Sequence, residues 1–127
     1  MKDEEHRIQA TLFRWAALEA SKHPELQLMH AIPNGGHRHK AVAGRLKAEG
    51  VKAGVPDIFL PVARAGSHGL YIEMKTQKGR LTDSQKNWAD ALANQGYRVE
   101  ICRSWVAAAM LIADYLGFDA GFDKEMR

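Results

Sequence analysis

Asp57 follows Pro56 at the start of one short apolar run, and Glu73 and Lys75 stand two apart in the next. On an extended strand alternate side chains share a face, so Glu73 and Lys75 point together while Met74 points into the core. If the two runs pair, Asp57 comes to lie beside Glu73. Two carboxylates a few ångströms apart repel, and one takes up a proton unless a cation neutralises them. Mg²⁺ meets that need, since it binds through one or two carboxylates and keeps several waters. The neighbouring lysine can then hold or activate one of those waters, which suits metal-assisted attack on a phosphodiester. An isolated E-x-K reads more plainly as charge on a solvated strand face; a P-D at hairpin distance narrows the choice.

The elements that must position these residues are legible in the surrounding pattern. Ile8, Leu12, Trp15 and Ala16 recur at helical spacing and predict a first helix from about Asp3 to Ala20, ended by His23-Pro24. Leu26 to Ile32 reads as a short strand, followed by a turn at Pro33-Asn34-Gly35-Gly36. A basic second helix is expected over His39 to Glu49, with Val42 and Leu46 inward and Gly50 as its stop. Asp57 to Val62 and Leu70 to Thr76 predict two strands joined closely enough for an antiparallel hairpin.

Thr82 and Gln85 fit a capping box at the start of a helix reaching Gln95, with Trp88 and Leu92 as its buried stripe and Gly96 as its stop. Tyr97 to Cys102 reads as a third core strand, and Ser104 caps a last helix carrying Trp105, Ala108, Ala109, Ile112 and Leu116. Strand, helix, strand in that order implies a right-handed crossover and a parallel pair. The expected fold class is α/β, a mixed sheet with one hairpin and one parallel crossover strand, flanked by helices. Trp15, Trp88 and Trp105 all fall on apolar stripes and are assigned to the core.

The chain has 127 residues, 46% of them hydrophobic and 26% charged, which fits one globular domain rather than a disordered chain. The expected core spans about residues 4–117, with 118–127 as a tail. No apolar run approaches the roughly 20 residues of a membrane span. MKDEEHR is charged and has no apolar stretch after it, so it is not a secretory signal. One cysteine, Cys102, can form neither an internal disulfide nor, alone, a zinc site. A cytoplasmic location is the expectation.

The net charge is +3, from 18 basic and 15 acidic residues, and it is unevenly placed. Between Asn34 and Gly54 stand Arg38, Lys40, Arg45, Lys47 and Lys52 against Glu49 alone, with His37 and His39 among them. Such a segment suits a polyanionic partner, although a solvated loop and helix face carries the same composition. The Asn34-Gly35-Gly36 turn beside His37, Arg38 and Lys40 could offer backbone N–H groups and cations to DNA phosphates.

Several blocks together resemble a known family. Gly54-Val55-Pro56-Asp57 followed by Ile72-Glu73-Met74-Lys75 is similar to the PD-(D/E)xK nuclease core. Glu5-His6-Arg7-Ile8-Gln9, Ile32-Pro33-Asn34-Gly35-Gly36-His37-Arg38 and Gly79-Arg80-Leu81-Thr82-x-x-Gln85 resemble its VRR-NUC branch, the virus-type replication-repair nucleases. The likeness runs from about Glu5 to Leu116, and the stand-alone form of the family is the one resembled.

The resemblance implies a restriction-endonuclease-like core and a Mg²⁺- or Mn²⁺-dependent DNA endonuclease with no organic cofactor. It makes Asp57 and Glu73 the principal metal ligands and Lys75 the catalytic lysine. Glu5 then completes the metal site directly or through water; it is preferred over Glu4 for its spacing to Gln9, one turn along the same helical face. Gln85 has two readings: a glutamine beside the active site, or a local helix cap. Gln9, Asn34, Gly35, His37, Arg38, Lys40, Arg45 and Lys47 are the expected nucleic-acid contacts. The expected partner is branched DNA, four-way junctions above all, cut by a homodimer whose two sites share the junction's symmetry. A non-catalytic DNA-binding module and an RNA or tRNA endonuclease are the alternatives on the same fold.

Overall fold

A computed structural model describes residues 2–33 and 40–123. Helix α1 (Lys2–Glu19) opens with Asp3, Glu4 and Glu5, whose charges oppose the positive end of the helix dipole. Its inward stripe is the expected one, with Leu12 fully buried and Trp15 and Ala16 beside it. The segment expected as a strand over Leu26 to Ile32 divides instead into a 3₁₀ turn (Pro24–Leu28) and a two-residue strand β1 (His30–Ala31). Pro24 opens the turn with its φ already near helical values. Leu26 is the buried residue of the turn, and Met29, just past its end and three residues on, is buried too, which is the repeat of a 3₁₀ helix rather than of a strand.

Strands β2 (Ile58–Leu60), β3 (Leu70–Met74) and β4 (Arg98–Cys102) complete a four-stranded sheet in the order β1-β2-β3-β4. The first two pairings are antiparallel and β3 runs parallel to β4, so both the hairpin and the parallel strand are present. Ile58, Leu60, Leu70, Ile72 and Met74 line the core face of the sheet. They pack with α1 and with α4 (Trp105–Leu116), whose Ala108, Ala109 and Ile112 are fully buried. Ser104 caps α4 by accepting the Ala107 N–H at 3.0 Å, and Gly117 ends it in the left-handed region. Tyr115 donates its hydroxyl to the Val62 carbonyl at 2.6 Å, tying α4 to the end of the hairpin.

Four burial expectations change. β4 is an edge strand of the described sheet, so only Cys102 of its residues is buried and Ile101 is 43% exposed. Burial pushes the Cys102 thiol up to about 12, which keeps it a neutral core group. Helix α3 (Asp83–Asn94) contains no fully buried residue; Trp88 and Leu92 are half-buried, and the helix packs chiefly on the edge strand β4. Helix α2 (Lys40–Ala48) likewise has no fully buried residue among its described side chains, and Val42 is 41% exposed rather than inward. Trp105 is half-buried against the edge of the Phe122 ring, so Trp15 is the one tryptophan of the closed core. No described helix is long and apolar enough to cross a membrane.

The contrast between α1 and α2 is measurable. Leu12→Ala removes a fully enclosed side chain and should cost about 2–5 kcal/mol in urea unfolding. Val42→Ala should stay within about 0.5 kcal/mol, as surface changes do. Equal losses at both positions would mean that α2 packs as a core helix.

Candidate active site

The pairing of β2 with β3 brings Asp57 to Glu73. Ile58 is matched with Ile72, so the next residue outward on each strand faces the other, on the opposite side of the sheet from the isoleucines. Asp57 is held at both ends: its carbonyl accepts the Ile32 N–H at 2.7 Å, and its Oδ2 accepts the Met74 N–H at 2.8 Å. The preceding Pro56 is fully buried. Gly54 adopts φ +92°, and a Cβ there would stand 2.9 Å from the Ser84 carbonyl carbon. Ser84 in turn donates its hydroxyl to the Ala53 carbonyl at 3.2 Å. Only glycine allows the Gly54–Asp57 approach to lie this close on the first turn of α3.

Glu73 is 4% exposed and Lys75 is 9% exposed, so neither belongs to a solvated strand face. Glu73 Oε2 lies 4.0 Å from Lys75 Nζ and accepts the Gln85 side-chain N–H at 3.2 Å. Its Oε1 is buried with no hydrogen-bond partner among the described residues. Burial raises the Glu73 carboxyl to about 9; the charge of Asp57 and a hydrogen bond with it add to the rise, Lys75 opposes it, and Glu5 contributes a further repulsion. The two carboxyl groups therefore share a site that is unfavourable for two negative charges without a cation.

Both readings of Gln85 hold at once. Thr82 and Gln85 form the full capping box, with Gln85 Oε1 accepting the Thr82 N–H at 2.9 Å and Thr82 Oγ1 accepting the Gln85 N–H at 3.1 Å. Because the cap occupies the amide oxygen, the amide nitrogen is the atom left to face Glu73. Capping thus sets which end of the side chain meets the carboxylate.

Glu5 and Gln9 line one cavity of about 310 Å³ with His6, Ala10, Phe13 and Ala31. Glu5 is felt at Glu73 as charge, yet among the described residues no three His, Cys, Asp or Glu side chains gather into a cation-holding cluster. The donor set is accordingly the Asp57–Glu73 pair, which fits a hard divalent ion that keeps most of its waters. Arg45 and Lys47 are exposed on α2, which Lys40 opens. Asn34, Gly35, His37 and Arg38 lie outside the described residues.

Arg103 is a residue that sequence reasoning did not single out. Its Nη1 donates to the carbonyls of Thr76 at 2.8 Å, Gly79 at 2.7 Å and Gln77 at 3.4 Å, gripping the loop that follows Lys75. Its position is implicit in the parallel pairing, since Met74 is matched with Cys102 and the next residue of β4 falls beside the end of β3.

The crowded carboxyl pair has a consequence for stability. A raised Glu73 carboxyl keeps a proton in the folded chain that the unfolded chain releases, so its contribution is full below about pH 4. That contribution is lost as pH rises toward about 9. Without divalent ions, thermal stability should fall across this range, and Glu73→Gln should flatten the fall by removing the charge. Mg²⁺ should raise the melting temperature of the wild type at pH 8 and leave that of Glu73→Gln nearly unchanged. Identical pH slopes in both proteins would show that the pair is not strained.

Three comparisons bear on this arrangement. A family model described as the VRR-NUC domain matches residues 3–105, a span that contains Glu5, Asp57, Glu73, Lys75 and Gln85. Among curated proteins none matches at a significant level. A solved structure titled "VRR_NUC domain protein" is similar in fold, with a TM-score of 0.71 and 29% sequence identity over 91% of this chain and 93% of that one. With a family match over most of its length and a solved relative of the same shape, the chain belongs to the VRR-NUC family of nuclease-type, DNA-acting domains.

Proposed function

We propose that this protein is a metal-dependent endonuclease that hydrolyses phosphodiester bonds in branched DNA, acting on four-way junctions as a homodimer. The observation that supports the chemistry best is the Asp57–Glu73 pair, with one Glu73 oxygen buried and unpartnered and the Lys75 ammonium beside the other. Asp57 and Glu73 would hold Mg²⁺ or Mn²⁺, with Glu5 completing the site directly or through water. Such an ion, when bound, supplies positive charge to the developing transition state and acidifies the attacking water.

The chain's own groups do the rest. Gln85 Nε2 holds Glu73 Oε2, while Oε1 has no hydrogen-bond partner among the described residues and would be open to an ion. Lys75 Nζ donates to the attacking water and orients its lone pair toward phosphorus, in line with the departing oxygen. Gln9 from α1, with Asn34, Gly35, His37, Arg38, Lys40, Arg45 and Lys47, would contact the DNA strand and fix its position. A single site cuts one strand, so resolving a junction needs two sites related by a two-fold axis, which a homodimer provides.

A substrate panel tests this reading. Labelled linear duplex, single strands, flaps, four-way junctions and RNA are incubated with the protein, with and without Mn²⁺. Cleavage should require the ion and favour the four-way junction. Asp57→Asn, Glu73→Gln and Lys75→Ala should each lower the rate by at least about a hundredfold. An active Asp57→Asn, or full cleavage in excess EDTA, removes the mechanism; equal cutting of linear and junction DNA removes the preference. Light scattering should find two copies at micromolar concentration, and a monomer there would remove the dimer.

A further inference from the structure

The loop that leaves Lys75 is held far more firmly than its connecting role requires. Arg103 gives three carbonyl contacts to Thr76, Gln77 and Gly79, and the Gly79 N–H closes a turn on the Thr76 carbonyl at 3.2 Å. All three come from one guanidinium nitrogen, Nη1, whose positive charge strengthens its contacts to carbonyl oxygens. The loop also rests on the lysine itself: a Cβ on Gly79 would stand 3.3 Å from Lys75 Cδ and 3.2 Å from the buried Thr76 Oγ1. Thr76, Gln77 and Gly79 are thus held beside the stem of the side chain that reaches Glu73, with Lys78 and Arg80 between and next to them.

What the loop presents is positive charge. Lys78 and Arg80 are both exposed, and residues 76–82 include no acid. Neither cation takes part in an ion pair among the described residues, whereas Arg64 and Arg98 have carboxylate partners. Two unpaired cations on a rigid loop, within a few residues of a candidate phosphodiester site, complement a polyanionic backbone.

We propose that residues 76–80 form a DNA-backbone ledge, in which Arg103 fixes the loop and Lys78 and Arg80 grip phosphates flanking the scissile one. This rests on the reading of Asp57, Glu73 and Lys75 as a nuclease site, because that site determines which phosphate the ledge places. Arg103 is a positioning residue: it acts through the loop and touches no DNA.

The test is binding of fluorescent four-way-junction and linear duplex DNA to the full chain in Ca²⁺, across a salt series. Lys78→Ala with Arg80→Ala should lower the slope of log affinity against log salt by about 1.8, at about 0.9 per lost phosphate contact. A control pair with the same charge loss, Arg14→Ala with Lys22→Ala toward and beyond the other end of α1, should leave the slope unchanged. In parallel, Arg103→Ala should make trypsin cut after Lys78 and Arg80 at least about tenfold faster than in the wild type, and Arg103→Lys should restore protection only in part. An unchanged slope in the loop variant, or an equal drop in the control pair, overturns the ledge; unchanged trypsin rates in both Arg103 variants overturn the clamp. The slopes read binding alone, so a protein that shows them but cuts no DNA refutes the nuclease reading and leaves the ledge standing.

Discussion

Two carboxyl groups forced into one small volume are the constraint around which this molecule is arranged. Asp57 and Glu73 sit opposite each other because β2 and β3 are matched at Ile58 and Ile72, and the register is locked by the buried residues on the far face. A one-residue slip would turn Ile58, Leu60, Leu70 and Ile72 toward solvent, so the core enforces the acidic pair at a cost the pair alone would not bear. Burial then raises Glu73, and its Oε1 has no hydrogen-bond partner among the described residues. Charge crowding of this kind costs stability in the isolated chain, and strongly perturbed carboxyl groups cluster at functional sites.

The parts around the pair are placed by backbone geometry more than by side-chain packing. Helix α3 buries no residue completely, yet its first turn meets both the segment leading into β2 and Glu73 on β3. Ser84 meets the glycine ahead of Asp57, and Gln85 reaches Glu73 while closing its own capping box. One helix N-terminus therefore joins the approach to β2 with the end of β3. On the other side Arg103, leaving the edge strand β4, secures the loop after Lys75. The site is supported by polar contacts at the ends of elements, while the apolar core of α1, α4 and the sheet supplies the frame.

Element types were legible in the sequence wherever one physical signal dominated. The 3.6-residue stripe of α1, the capping box of α3, the Ser104 cap of α4 and the alternation of β3 each depend on neighbours along the chain, and each appears where the pattern places it. The segment after Pro24 was not legible, because its apolar residues Leu26, Leu28 and Met29 carry both a two-residue and a three-residue spacing, and only burial in the fold selects the 3₁₀ turn. Val42, Trp88 and the strand from Tyr97 to Cys102 were misplaced in the core for a common reason: an apolar residue at the right spacing needs a partner layer, and α2, α3 and β4 lie at the margin of the fold.

The sequence by itself determined that an acid after a proline and an E-x-K would be carried on two strands able to form a hairpin. It also placed Glu5 with Gln9, and Thr82 with Gln85, on shared helical turns. Only the tertiary structure decided that Glu73 and Lys75 are buried, that Gln85 both caps a helix and contacts Glu73, and that Arg103 holds the loop beyond Lys75. Local patterns fix periodicity and caps, because these are settled within a few residues of chain. Burial and contacts between Glu73 and Gln85, or Arg103 and Gly79, are set by sheet register and strand order, which bring together positions far apart in sequence.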